Sequence, residues 1–274
     1  MRKLMCWTAS TAIAAALALA LAGAANSSAQ PQPAKRKPYF TIAYMKVPPG
    51  KLADALNLER EVWAPVHQEL VKAGKLDFWR VYSCPFPSGS ETEYDYVTIN
   101  QYPTWVELEE PYSDITAERF AGIHPKMKLG ELMLRTEAVR KMVRQDVFSL
   151  ELATTGWPGA TTSVLNVVYM KAEPGKAGDL AAIQKDFFLP LNEIQVQKGQ
   201  EAAWGNALLR FPYPPAAPYD SISFNGFATL AAMESAQVPP AFQAKLKEIS
   251  VKLNAARVRV RNQLWIYQTG TQPK

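Results

Sequence analysis

Residues 44–51 read Tyr-Met-Lys-Val-Pro-Pro-Gly-Lys, and residues 169–176 read Tyr-Met-Lys-Ala-Glu-Pro-Gly-Lys. The two stretches lie 125 residues apart (169 − 44). At the same spacing Phe86-Pro87 matches Phe211-Pro212, and no gap is needed in between. A constant spacing over this length indicates an internal duplication. The chain is therefore interpreted as two copies of one unit.

The spacing between the copies changes toward their ends. Arg144 matches Arg261 at a distance of 117 residues (261 − 144). The first copy is therefore longer by eight residues (125 − 117), and we place this insertion near Ser113 to Lys128. His124 lies within it.

Each copy predicts the element order βαββαβ. β-Branched and aromatic residues at 41–47 and 165–170 predict a first strand in each copy, and Pro-Gly then predicts a turn. Apolar residues at helical spacing from Leu52 predict a helix that ends at Gly74. The other elements predicted in the first copy are strands at 78–82 and 94–100, a helix at 129–142 and a closing strand at 147–152.

This order is typical of the ferredoxin-like unit, an α+β structure whose antiparallel sheet carries helices on one face. The other face needs a partner, so two fused copies predict two sheets packed face to face as a pseudo-dimeric α/β barrel. Alternation in the third strand assigns Val97 and Ile99 to the helix-covered face. Tyr96 and Asn100 then face the barrel interior, which we expect to be mixed polar.

The pattern Trp63-x-Pro65-x-His67, followed by Gly74 and Trp79, is similar to NIPSNAP-like and EthD-like members of the dimeric α/β-barrel superfamily. The resemblance covers nearly the whole mature chain and implies two ferredoxin-like units packed sheet to sheet. Members include cofactor-free monooxygenases, haem-handling enzymes and many proteins with no assigned activity. The fold alone does not choose among these functions.

The first residues have the pattern of a signal peptide. Arg2 and Lys3 precede an apolar run at 11–25, and small residues follow up to Ala29. We expect cleavage near Ala29 and export to the periplasm or the medium. The alternative is an uncleaved anchor, but the run is shorter than the roughly 20 apolar residues that span a bilayer.

Composition indicates a soluble globular domain after signal removal. The chain of 274 residues is 48% hydrophobic and has a net charge of +5, with basic residues spread among acidic ones. Such a spread argues against nucleic-acid binding. We expect a monomer or a homodimer. The predicted parts are a signal peptide 1–29, a linker 30–38, a first ferredoxin-like repeat 39–152, a linker 153–163 and a second repeat 164–270.

The two histidines are the only candidates for holding a cofactor. No His and Cys cluster has the spacing of a zinc site, so we predict no metal. Haem needs a single axial histidine, which leaves haem as an alternative to the prediction of no cofactor. His67 matches Asn192 in the second copy, which favours a polar position beside a buried helix stripe. His124 precedes Pro125, is expected in a loop, and is the slightly better ligand candidate.

The sequence contains no recognisable catalytic motif. It has no Gly-x-Ser-x-Gly elbow. Cys84, the only cysteine after signal removal, matches Leu209 in the second copy and is interpreted as a semi-buried structural residue.

Polar and aromatic residues that recur in both copies are the candidates for a binding site. Polar groups inside a closed barrel would need one another, water or a ligand. We therefore expect a binding protein for a small, partly aromatic molecule. The alternatives are a cofactor-independent oxygenase that depends on Asn100 or Asn225, a haem-binding barrel and a purely structural module. The candidate ligand-binding residues are Trp79, Trp204, Asn100, Asn225, Tyr96, Arg144 and Arg261.

Overall fold

A computed structural model of the chain describes residues 37–86, 92–157, 162–212 and 217–272. Within these residues eight strands close into one antiparallel barrel, in the order β1-β3-β2-β8-β5-β7-β6-β4. The strands are β1 (Tyr39–Lys46), β2 (Phe78–Phe86), β3 (Tyr96–Tyr102), β4 (Lys141–Ala153), β5 (Val164–Ala172), β6 (Ala203–Phe211), β7 (Ser221–Phe227) and β8 (Arg257–Gly270).

Helices follow the first and third strands of each half. A π-helical turn precedes Pro65 in the first half and Pro190 in the second. Proline has no N–H group to donate to the preceding turn, which accounts for the local widening. The helices are α1 (Leu52–Leu58), α2 (Ala64–Lys72), α3 (Trp105–Glu109), α4 (Ala117–Ile123), α5 (Leu129–Val139), α6 (Ala177–Ile183), α7 (Leu189–Gln197), α8 (Leu230–Ser235) and α9 (Pro240–Ala256).

The two halves repeat the same details of backbone structure. Their strands lie side by side in matching orders, β2-β3-β1-β4 and β6-β7-β5-β8. The pairing of β1 with β4 shifts register between Tyr44 and Met45, and the pairing of β5 with β8 shifts between Tyr169 and Met170. These four residues come from the duplicated stretches that open the sequence analysis, so the repeated sequence produces the same bulge twice.

The predicted insertion near Ser113 to Lys128 contains an extra helix, α4. Its first turn is capped by Thr116, whose side chain accepts a hydrogen bond from the Arg119 backbone N–H. Phe120 in α4 is 1% exposed and belongs to a buried cluster with Leu58 and Leu132. The insertion therefore thickens the helix layer of the first half.

The last strand of each half begins earlier than the sequence predicts. β4 begins at Lys141 instead of residue 147, and β8 begins at Arg257 instead of residue 264. The added residues are mostly exposed, and those at 257–261 alternate arginine with valine, a strand pattern that the prediction from the apolar residues 264–267 did not include. Helix α5 accordingly ends at Val139 and not at residue 142.

The interior of the barrel is packed with apolar and aromatic side chains, and this corrects the predicted assignment of the strand faces. Val97 and Ile99 lie in the interior cluster, whereas Tyr96 lies with Trp79 in the layer beneath the helices. The assignment was reversed because alternation separates two faces without showing what covers each. The expectation of a mixed polar interior is wrong along this strand.

The predicted signal peptide 1–29 lies outside the described residues, as does the linker up to residue 36. Part of the linker 153–163 is also outside them. None of the helices in the described ranges is long and apolar enough to cross a membrane.

Candidate functional site

Four buried tyrosines meet at one end of the barrel, and we call them the tyrosine cluster: Tyr44, Tyr94, Tyr169 and Tyr219. The hydroxyl oxygens of Tyr44 and Tyr169 are 3.1 Å apart, and those of Tyr44 and Tyr219 are 3.4 Å apart. The Tyr94 ring packs edge-on against the Tyr44 ring, and the Tyr219 ring packs in the same way against the Tyr169 ring, with centroids 4.7 Å apart in both pairs. A residue contacts its own counterpart only at the axis that relates two halves, so Tyr44 and Tyr169 mark this axis.

Two tyrosines of the cluster donate hydrogen bonds to side chains outside it, and these two acceptors differ. Tyr219 donates its hydroxyl proton to the Asp146 carboxylate, and Tyr94 donates to the Gln263 amide oxygen. Asp146 and Gln263 occupy equivalent positions in the two copies (263 − 146 = 117). The duplication therefore places a carboxylate on one side of the cluster and a neutral amide on the other.

Two equivalent arginines cover the cluster. The Arg144 guanidinium lies 4.0 Å from the centre of the Tyr44 ring, and the Arg261 guanidinium lies 5.2 Å from that of Tyr169. Glu93 accepts a hydrogen bond from Nη1 of Arg144 at 2.6 Å and from Nη1 of Arg261 at 3.1 Å. One carboxylate thus bridges the two arginines.

Burial controls the protonation of this site. It raises the pKa of all four tyrosines, that of Tyr94 to about 12, so they are neutral phenols at physiological pH. Burial also raises the pKa of Asp146, while its bond from Tyr219 and the charge of Arg144 act in the opposite direction. The tyrosine cluster therefore contacts, in Asp146, a buried carboxyl group that ionises more readily than the four phenols.

A cavity of about 280 Å³ opens beside the cluster, and Tyr94, Cys84, Glu93 and Arg261 lie in its wall. Phe86 lines this cavity and also a neighbouring one of about 400 Å³. A larger groove of about 590 Å³ lies between α6 and α9, and its lining includes no residue of the tyrosine cluster. The tyrosine cluster and its arginines therefore adjoin the smaller cavities and not the large groove.

Trp79 and Asn100, two of the four predicted ligand-binding residues of the first copy, come together with His67, but in the layer between sheet and helices. The His67 ring stacks on Trp79 with centroids 4.5 Å apart. His67 Nε2 is 3.0 Å from the Tyr112 hydroxyl, and Asn100 donates to the Tyr102 hydroxyl at 3.0 Å. This group lies outside the barrel.

Tyr96 belongs to a second buried group in the same layer. Its hydroxyl donates to Glu59 at 2.7 Å, and Nε of Arg140 lies 2.9 Å from the same carboxylate. The two partners satisfy Tyr96 and Glu59 within the protein.

Trp204 and Asn225 of the second copy also lie on the helix-facing side, since Leu209 and Phe224, at alternate positions of the same strands, belong to the interior cluster. The Trp204 backbone N–H donates to Thr154 at 2.9 Å, and the Asn225 amide donates to the backbone oxygen of Asn166 at 3.2 Å. Of the seven predicted positions, Arg144 and Arg261 alone reach the tyrosine cluster within the described residues.

His67 does not fit a haem ligand in this arrangement. It is 3% exposed, its Nδ1 bonds the Trp63 carbonyl at 2.8 Å and its Nε2 bonds Tyr112, so an axial bond would have to displace one of these contacts. Nε2 of His124 lies 3.0 Å from the Val62 carbonyl oxygen, and an axial bond through this nitrogen would have to displace that contact. In the described part of the chain, no three His, Cys, Asp or Glu residues form a group that could hold a metal ion.

No protein-family model matches the sequence, and no curated protein matches it. Solved structures do match the fold. A candidate monooxygenase from Lactobacillus acidophilus has a TM-score of 0.54 and 11% identity over 86% of this chain and 96% of its own. A candidate monooxygenase from Fusobacterium nucleatum has a TM-score of 0.55 and 8% identity over 87% and 96%.

A haem-binding protein from Thermus thermophilus aligns with a TM-score of 0.46 at 10% identity, over 84% of this chain and 91% of its own. At these identities the likeness concerns the fold and not the activity. The closed antiparallel barrel with its outer helices, together with the matches to the two candidate monooxygenases, shows that the chain has a dimeric α/β-barrel fold.

Proposed function

We propose that the protein binds a small aromatic anion, a carboxylate or a phenolate, at the end of the barrel that carries Arg144 and Arg261. The observation that supports this most is the Glu93 carboxylate, which accepts from both arginines at once. Arginine favours paired, charge-assisted contacts with oxyanions. A ligand anion that displaces Glu93 would find the same two donors already in place.

The aromatic part of the ligand is inferred from the cavity wall. Phe86 is 63% exposed and lines both cavities at this end of the barrel. Tyr94 forms part of the same wall. A ring seated here would bury apolar surface against Phe86 while its anionic group reaches Arg261, a combination usual in small-molecule sites.

Isothermal titration with benzoate and with 4-nitrophenol tests the proposal. We expect Arg261→Met to weaken binding of both probes about tenfold or more, since a charge-assisted contact contributes more than about 1.4 kcal/mol. Arg210→Met is the matched control, because Arg210 pairs with Glu151 away from the cavity. Equal affinities for the wild type and both variants would contradict the proposal.

A second candidate function is a cofactor-independent oxygenase acting on a phenolic substrate. It is supported by the buried hydroxyl groups that adjoin the cavity at Tyr94. The two structural neighbours named above are both described as candidate monooxygenases. Oxygen uptake with quinols and polyphenols tests this function. Substitution of Arg261 or Tyr94 is expected to abolish oxygen uptake, because both residues lie in the cavity wall. Substitution of Asn100 or Asn225 is expected to leave it unchanged, because both lie on the helix-facing side of the sheet.

Several features of the sequence complete the proposal. Each half is proposed to be a ferredoxin-like unit, and the mature protein is proposed to begin after Ala29 in the periplasm or the medium, as a monomer or homodimer. The basic, apolar and small-residue order at the start of the chain supports export. The protein can be purified from an exporting host to test the last two statements. Its N-terminal residue shows where the mature chain begins, and its native mass distinguishes a monomer from a homodimer.

A further inference from the structure

The cavity of about 400 Å³ beside Phe86 extends over the outer face of the barrel, and we call it the outer cavity. Its lining consists of Phe86, Asn166, Met233, Asn262, Gln263 and Leu264. Asn166 of β5 and Leu264 of β8 are paired with each other. They alternate along their strands with Leu165 and Trp265, which belong to the interior cluster. Successive side chains of a strand point to opposite faces, so Asn166 and Leu264 point outward.

The duplication provides an equivalent place in the other half of the barrel. Phe86 corresponds to Phe211, 125 residues later (211 − 86). The space beside Phe211 is filled by Trp105, whose ring centroid lies 5.8 Å from that of Phe211. The same indole ring packs edge-on against Tyr39 at 5.1 Å, and Tyr39 points outward because it precedes the interior residue Phe40. The protein therefore holds an indole ring of its own at the place equivalent to the outer cavity.

The second half carries smaller residues at the positions of both rings. Leu230 corresponds to Trp105 (230 − 105 = 125), and each is the first residue of its short helix, α8 or α3. Met233, about one turn further along α8, lines the outer cavity. Val164 corresponds to Tyr39 (164 − 39 = 125). The outer cavity is therefore the space that an aromatic ring fills in the first half.

We propose that the outer cavity binds the ring system of a bicyclic aromatic carboxylate, such as a naphthoate or an indole carboxylate, whose anionic group reaches Arg261. This inference rests on the proposed function, because it takes Arg261 as the anion site. The outer cavity and the cavity at Arg261 share Phe86, Asn262 and Gln263, so one ligand can extend from one into the other. Two fused rings match the indole that fills the equivalent space, whereas one ring leaves part of it empty.

The charges at the two equivalent places favour an anionic ligand in the second half. Gln263 is neutral and lines both of the cavities that the ligand would occupy. Its counterpart in the first half is Asp146 (263 − 146 = 117), a carboxylate that would oppose the binding of an anion. The half with the empty space is thus also the half without this carboxylate.

Titration calorimetry with benzoate and with 2-naphthoate tests the inference, because the two probes share one carboxylate and differ by one fused ring. We expect the wild type to bind 2-naphthoate about tenfold more tightly than benzoate, since the second ring buries further apolar surface. Leu230→Trp introduces the residue found in the first half and should fill the outer cavity. In this variant the ratio of the two affinities is expected to fall from about ten to about one.

Two further variants separate filling of the cavity from a general effect of an added ring. Leu134→Trp is the matched control, because Leu134 is 69% exposed on α5 and is not in the lining of the outer cavity. It should keep the wild-type ratio. Leu230→Phe adds one ring where Leu230→Trp adds two, and it should give an intermediate ratio.

Three results would overturn the inference while benzoate binding by the wild type leaves the proposed function standing. They are equal affinities of the wild type for the two probes, a wild-type ratio in Leu230→Trp, and a ratio that falls as far in Leu134→Trp as in Leu230→Trp. Loss of both probes in Leu230→Trp would also overturn it, since the added ring would then act on the anion site and not on a separate ring pocket. A wild type that binds neither probe would overturn the inference and the proposed function together.

Discussion

The hydroxyl oxygens of Tyr44 and Tyr169 lie 3.1 Å apart, so a residue and its duplicate meet at the centre of one folded chain. Both belong to the stretch that is most clearly repeated in the sequence. Each is fully buried beneath an arginine. The duplication has thus placed two phenol groups in contact, one from each copy.

This contact predicts coupling between the two positions. Tyr44→Phe and Tyr169→Phe should each lower the free energy of unfolding by about 1 kcal/mol or somewhat more, because each removes a buried hydroxyl and leaves a neighbour short of a partner. The double variant should lose less than the two effects added together, since both single changes break the same bond. Urea denaturation of the wild type, the two single variants and the double variant measures this coupling. A loss of unfolding free energy in the double variant equal to the sum of the two single losses would contradict it.

His67 predicts a loss of stability in acid. Burial lowers the pKa of His67 to about 4, below the ordinary value of 6.5, so the folded protein binds fewer protons than the unfolded chain between these values. The contribution of His67 is therefore fully present above about pH 6.5 and is lost as the pH falls toward 4. His67→Asn, which introduces the second-copy residue Asn192, should flatten this part of the profile of Tm against pH.

Gln68→Asn is a suitable control for that comparison, because Gln68 is a neighbouring residue on the same helix whose side chain reaches the backbone of Gln272. It should leave the shape of the acid profile unchanged. A profile for His67→Asn that falls as steeply as the wild type between pH 6.5 and 4 would show that His67 is not the group responsible.

Glu201 predicts the opposite dependence on pH. Burial raises the pKa of Glu201 to about 9, and both carboxyl oxygens lack hydrogen-bond partners among the described residues. The folded state therefore binds more protons, and stability falls as the pH rises from about 4.5 to 9. Glu201→Leu, which introduces the first-copy residue Leu76, should stabilise the protein by about 3 kcal/mol at pH 7.

Thermal unfolding at several pH values checks this prediction. The gain from Glu201→Leu should shrink as the pH is lowered to 4, where the wild-type carboxyl is protonated in both states. A gain of the same size at pH 4 and pH 7 would mean that packing alone, and not the buried carboxyl, produces the effect.

The sequence allowed the overall fold to be predicted because the evidence for it is periodic. The repeat of Tyr44 at Tyr169 and the βαββαβ order lead to two sheets packed together, and the closed barrel agrees with this. The insertion near 113–128 was found from a change in spacing, and helix α4 lies there. These inferences need only distances along the chain.

The site was harder to predict because it depends on which face of a strand points inward. Alternation placed Tyr96 and Asn100 inside, but the interior face carries Val97 and Ile99. Tyr44 and Tyr169 were visible as a repeat, yet nothing in the sequence showed that they touch. Asp146 and Gln263 differ between the copies, so a search for identical pairs passes over them.

The contact between Glu93 and the two arginines tests the binding account most directly. Glu93→Gln removes the negative charge that occupies Arg144 and Arg261, so a ligand anion no longer competes with it. We predict that calorimetry with benzoate at constant ionic strength will show about tenfold tighter binding to Glu93→Gln than to the wild type, a gain of about 1.4 kcal/mol. Unchanged or weaker binding would contradict the claim that a ligand anion takes the place of Glu93 between the two arginines.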